Sequence, residues 1–193
     1  MNIILKILPL ITLGVLMGKQ MGNGSPPNPA LLVIDVQKAY IGWMDQSEVE
    51  TATTYINGCI DLFRRADLPV IRVYNEDIKN GPSKESKEFE FIDEIDVISS
   101  DPMVIKSFSN SFKNTDLDSL LKSLNVNTLF LCGLSATGCV IATYYGGLDK
   151  DYQSYLVEKA LMSPDRAHTK TVQEFASHVN YSGIDLLLKS LKN

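Results

Sequence analysis

Residues 30–160 carry five short apolar runs, and helical patterns or loops separate them. The runs are "ALLVIDVQ" from Ala30, "LPVIRVYN" from Leu68, "MVIKS" from Met103, "NTLFLCG" from Asn127 and "QSYLVEKA" from Gln153. They are rich in branched residues and lack strict polar alternation, as strands buried on both faces of a parallel sheet do. Between them the period changes. Residues 47–65 read as a helix with Ser47 as N-cap and Glu50 at the capping-box position. Thr115 opens a helix with Leu117, Leu120, Leu121 and Leu124 on one face, and a further helix runs from Cys139 to about Leu148. Ser163 followed by Pro164 starts a helix over 163–179, and the tail from Ser182 forms a last short helix. Residues 76–100 are polar, with a single turn of helix near Phe89. Strand–helix alternation implies right-handed βαβ units. The expected fold is α/β: a three-layer, doubly wound, mostly parallel sheet of about six strands with helices on both faces.

The length, 193 residues, suits one such domain. A net charge of -5 with no basic run argues against a nucleic-acid surface. The three cysteines, Cys59, Cys132 and Cys139, have no CxxC spacing, so neither a disulfide framework nor a zinc knuckle is expected. Residues 1–24 are of another kind. Lys6 precedes an apolar run from Ile7 to Met17, the length of a signal-peptide core and short for a membrane span. This segment reads as a signal peptide or an apolar N-terminal extension. The first reading exports the protein to a periplasm or outside the cell; the second leaves it in the cytoplasm. Residues 25–29 read as a linker, and 30–193 as the folded domain.

Ligands of open parallel sheets bind beyond the carboxyl ends of the strands. Three reactive side chains fall there: Asp35 after the first strand, Lys106 closing the third, and Cys139 in the turn after the fourth. Each has a plain alternative. Asp35 can bond a neighbouring loop, Lys106 can be a solvated strand end, and Cys139 can be an inert buried thiol. Their shared edge sets them apart. A thiol reacts as its thiolate, and a helix N-terminus favours that charge. Asp35 can take the thiol proton and return it to a leaving amine. Lys106 can keep Asp35 ionised. The turn "GLSATGC" can aim main-chain N–H groups at a developing oxyanion. The reaction these groups suit is acyl transfer from a small amide, carbamoyl or ureido compound to Cys139, then hydrolysis.

The segments "ALLVIDVQKAYI", "VIKSFSNSFKNTDLDSLL" and "LFLCGLSATGCVIATYYGGLDKDYQSYLVEKAL", in this order and spacing, resemble the isochorismatase-like cysteine hydrolase superfamily over residues 30–180. The resemblance implies a six-stranded parallel sheet and an Asp-Lys-Cys triad at Asp35, Lys106 and Cys139. It also implies a non-proline cis peptide at Leu134–Ser135 and an oxyanion hole of the Ser135 and Cys139 N–H groups. A homo-oligomer is a further implication.

Departures from the family pattern are informative. Ala136 stands where many members carry threonine, and Thr137 is displaced by one. The segment "VYNEDIKNGPSKESKE" has no histidine where metal-dependent nicotinamidases carry theirs, and Asn75, Glu76 and Asp77 alone make a poor site for a borderline metal. No metal and no cofactor are expected; the expected partner is a small-molecule substrate. Cys139 favours C–N hydrolysis over an isochorismate-type ether hydrolysis, whose enzymes lack the thiol. That ether hydrolase and a non-catalytic binding protein are the alternatives. Tyr40, Ile41, Trp43, Phe108 and Phe112 can wall the substrate pocket or pack loops on the sheet. Gln37 can orient the Asp35 loop but, like His168, is expected at the surface; Cys59 and Cys132 are expected in the core.

Overall fold

The computed structural model describes residues 25–77 and 81–192. The expectation for residues 1–24 lies outside the described residues. Chain order is β1 (Pro29–Ile34), α1 (Lys38–Ile41), α2 (Gln46–Arg65), β2 (Val70–Asn75), β3 (Met103–Lys106), α3 (Leu117–Ser123), β4 (Thr128–Leu134), α4 (Ile141–Leu148), β5 (Gln153–Met162), α5 (Arg166–Phe175), β6 (His178–Val179) and α6 (Tyr181–Ser190). A 3-10 turn covers Lys87–Phe89.

The six strands pair in parallel in the order β3-β2-β1-β4-β5-β6. β1 is buried at every position and alternates between two cores. Leu31 and Val33 face one cluster with Ile56, Ile60, Phe63, Ile184 and Leu188 of α2 and α6. Ala30, Leu32 and Ile34 face the other, with Leu117, Leu121, Tyr144 and Val172 of α3, α4 and α5. A strand's side chains point alternately to opposite faces, so an unbroken apolar run is what a three-layer sandwich requires. In α2 the buried Ala52, Ile56, Cys59, Ile60 and Phe63 recur at helical spacing and make one stripe. The three-layer, doubly wound fold expected from the sequence is the one observed.

The element ends differ in detail. Asp45, not Ser47, caps α2, its carboxylate accepting from the Ser47 N–H at 2.9 Å. Asp165 caps α5 through the Ala167 N–H at 2.8 Å. Ser163 is engaged elsewhere: its carbonyl accepts from Asp45 N–H and its N–H donates to Glu48, tying the end of β5 to the start of α2. α3 begins at Leu117, whose N–H reaches Thr115 Oγ1 at 3.3 Å. The helix expected over 163–179 stops at Phe175, and His178–Val179 pair with Leu156–Val157 as an edge strand. Two residues are too few to show a period.

Strands to the left of β1 in the order come early in the chain, and strands from β4 onward come late. The direction of winding therefore reverses between β1 and β4, and a crevice opens at their carboxyl ends. Among the described residues no helix is long and apolar enough to cross a membrane.

Candidate active site

The crevice is built by close approach of two strands. Ile34 pairs with Gly133. Gly133 has φ +110°, and a Cβ there would lie 2.1 Å from the Ile34 carbonyl oxygen. Only glycine allows this contact. It brings the residues after β1 beside the turn after β4. Asp35 itself has φ 55°, a left-handed conformation that Asp tolerates better than most residues. Its N–H donates to Val73 O at 2.9 Å, which fixes the turn on β2.

Lys106 closes β3, and β2 lies between β3 and β1. Two strand spacings are about 10 Å, a gap that only a long side chain can bridge. The Lys106 ammonium crosses it and donates to Asp35 Oδ2 at 2.7 Å. It also donates to Cys139 Sγ at 3.2 Å and to Asn75 Oδ1 at 3.3 Å. The structure thus brings Asp35, Lys106 and Cys139 together. Lys106 is 2% exposed, so it is no solvated strand end.

Cys139 is partly exposed, whereas Cys59 and Cys132 are buried in the core. It lies in a kinked turn, Ala136–Val140, immediately ahead of α4. The turn is held by the Ser135 carbonyl, which accepts from Gly138 and Val140 N–H at 3.0 and 3.1 Å. The Leu134–Ser135 peptide is cis.

Burial pushes the Cys139 thiol up to about 12; the Asp35 carboxylate acts in the same direction and Lys106 opposes it. Desolvation is the largest of these influences and disfavours the thiolate. Burial also raises Asp35, against the pull of Lys106 and the Cys139 hydrogen bond. Burial works against the Lys106 charge, yet Asp35 and Cys139 together hold its ammonium above the usual range. Asp35 Oδ2 is taken by Lys106, and the Cys139 thiol is the carboxylate's other side-chain partner.

Asn75 was not legible as a site residue, and the orienting role was the lesser of the two readings of Gln37. Asn75 ends β2 between the two strands that carry the ion pair. It accepts from Lys106 and donates through Nδ2 to the Tyr40 hydroxyl at 2.8 Å. Gln37, expected at the surface, is fully buried. Its amide donates to Asn75 O and Phe89 O at 3.1 and 2.9 Å and accepts from Asn75 N–H at 2.8 Å.

The five pocket candidates separate, and Ile41 packs against the core under α2. Tyr40 is half-buried against Asn75, and Trp43, 69% exposed, packs edge-on against it with centroids 6.1 Å apart. Phe108 is exposed, with the Lys113 ammonium 4.0 Å above its ring. Phe112 is a core residue stacked on Tyr152, because the Ser111–Thr143 hydrogen bond pins its loop to α4. His168 is exposed, as expected. Among the described residues no three His, Cys, Asp or Glu side chains gather as metal ligands.

An isochorismatase domain model matches residues 29–181. YddQ, an isochorismatase family protein of Bacillus subtilis, is 29% identical over 163 residues, covering 79% of this chain and 87% of that one. Ureidoacrylate amidohydrolase RutB of Cronobacter turicensis is 22% identical over 174 residues, covering 70% and 75%. The crystal structure of N-carbamoylsarcosine amidase from Thermoplasma acidophilum superposes with a TM-score of 0.70 at 27% identity, covering 80% of this chain and 96% of that one. A model match over most of the chain, on a six-stranded sheet with this crevice, shows that the chain belongs to the isochorismatase family of hydrolases.

Proposed function

We propose that this hydrolase is a metal-independent cysteine amidohydrolase that cleaves a C–N bond of a small amide, carbamoyl or ureido compound. The observation that carries the reading is the Lys106 ammonium, bonded at once to Asp35 Oδ2 and Cys139 Sγ. Similarity to an amidohydrolase and an amidase supports the same reaction class.

The thiol is protonated at rest, so its proton must leave as the sulfur attacks. The Asp35 carboxylate, already hydrogen-bonded to the Cys139 thiol, is the acceptor. Sulfur bonds to the substrate carbonyl carbon, and the carbonyl oxygen takes the electron pair. In this reading the Ser135 and Cys139 N–H groups receive that oxyanion. The C–N bond breaks as Asp35 returns its proton to the departing nitrogen, leaving a thioester on Cys139. Water then attacks the thioester carbon and gives Asp35 a proton. The C–S bond breaks, the sulfur recovers that proton, and the acid leaves. Throughout, Lys106 remains an ammonium and balances whichever of Asp35 and Cys139 carries the negative charge.

The test is ammonia or amine release from a panel of small amides, carbamoyl and ureido compounds, with intact-mass detection of an acyl-enzyme. Wild type releases amine and gains the acyl mass; Cys139→Ala and Asp35→Asn do neither. Amine release that survives Cys139→Ala refutes a thioester route.

A further inference from the structure

The Asn75–Tyr40 pair has a direction. Lys106 can only donate, so the Asn75 atom facing it is the oxygen. The other end of the amide is then the NH₂ group, and it donates to the Tyr40 hydroxyl oxygen at 2.8 Å. A phenol carries one proton. With a donor already against its oxygen, the Tyr40 hydroxyl must send that proton elsewhere. Among the described residues no hydrogen bond takes it up. The hydroxyl is close enough to the reacting groups for the charges of Asp35, Lys106 and Cys139 all to act on it, and burial, the largest influence, keeps it protonated. The chain at Gly81 comes over the same hydroxyl: a Cβ there would lie 3.1 Å from it. Trp43 leans on the Tyr40 ring from the solvent side.

We infer that Tyr40 is a substrate-contacting donor, set in direction by Asn75, and that it selects substrates bearing a second hydrogen-bond acceptor next to the scissile carbonyl. The substrate class is a small amide, carbamoyl or ureido compound with a carbonyl, ether or hydroxyl oxygen one or two atoms from the reacting carbon. Asn75 is a positioning residue in this arrangement, since it reaches substrate only through Tyr40. A phenylalanine at position 40 would fill the same space without imposing the requirement. The inference rests on the cysteine-hydrolase reading above and adds a specificity to it.

Three nitrophenyl esters test it without the natural substrate. p-Nitrophenyl acetate has no second acceptor; p-nitrophenyl methoxyacetate and p-nitrophenyl N-acetylglycinate each have one. Acylation is followed by nitrophenolate release, and each rate is divided by the rate of the same ester with free N-acetylcysteine. Wild type should prefer at least one acceptor ester over the acetate by about five- to tenfold, the weight of one neutral hydrogen bond. Tyr40→Phe should bring that preference to about one. Asn75→Asp puts an acceptor against the phenol, turns its proton inward, and should also abolish the preference while Tyr40 is intact. A merely structural role would lower all three rates together. No preference in wild type, or a preference that survives Tyr40→Phe, overturns the inference. Loss of all three reactions in Cys139→Ala upholds the underlying hydrolase reading in either case. Acylation that persists in that variant sinks both.

Discussion

Replacing Lys106 by methionine keeps an unbranched side chain one atom shorter and removes its charge. Asp35 is 1% exposed and its 2.7 Å partner is gone. A buried carboxylate that loses its counter-ion costs about 3–5 kcal/mol. The carboxyl can limit that cost by taking up a proton. It is already raised by burial, and without Lys106 the main opposing influence disappears. Folded Asp35 then holds a proton that unfolded Asp35 loses above its ordinary value near 3.8. The folded state binds more protons than the unfolded one, so stability falls as pH rises through the interval between the two values. The penalty relative to wild type is roughly 2 kcal/mol at pH 5, where protonation is cheap, and about 3–5 kcal/mol at pH 8. Urea denaturation of both proteins at pH 5, 6, 7 and 8 measures the difference. A gap that is equal at pH 5 and pH 8, or that narrows as pH rises, refutes the view that Lys106 neutralises a buried charge.

Iodoacetamide should label Cys139 ahead of Cys59 and Cys132, which are buried, and with the thiol pushed up to about 12 the rate should still be climbing at pH 9. A plateau below pH 8, or equal labelling of all three by peptide mapping, contradicts this. Gly133→Ala should destabilise the fold by at least about 2 kcal/mol in urea unfolding, because both its positive φ and the 2.1 Å approach to Ile34 O exclude a Cβ; wild-type stability would show that the strands can separate. Gln37→Leu should cost about 2–3 kcal/mol by the same measurement, since it strands buried main-chain groups of Asn75 and Phe89. For any amide that the enzyme turns over, the acid limb of the kcat/KM profile should lie above the ordinary carboxylate value of 3.8, because Asp35 is raised and must be ionised to accept the proton. A limb at or below that value assigns the base elsewhere.

The fold was legible because both of its signals are local. Apolar runs such as residues 30–34 can be buried on two faces only in a covered parallel sheet. The stripe Ala52–Ile56–Cys59–Ile60–Phe63 needs only the helix period. Caps were less legible, since Asp45 and Ser47, or Ser163 and Asp165, compete for one helix start. Distant contacts decide that competition, as when Ser163 is drawn to Asp45 and Glu48.

The chain by itself determined which side chains arrive at the carboxyl rim, because strand ends are set by local pattern and their order along the chain places Asp35, Lys106 and Cys139 there. The state of those groups was decided only in three dimensions. That Lys106 reaches across β2 to two acidic partners, that Cys139 rests as a thiol, that Phe112 is core while Tyr40 stands at the site, and that Gln37 and Asn75 wire the rim together are consequences of desolvation and of contacts between residues tens of positions apart. Local pattern carries the periodicity of burial, but charge in a buried site depends on which neighbours replace water, and strand packing alone chooses them.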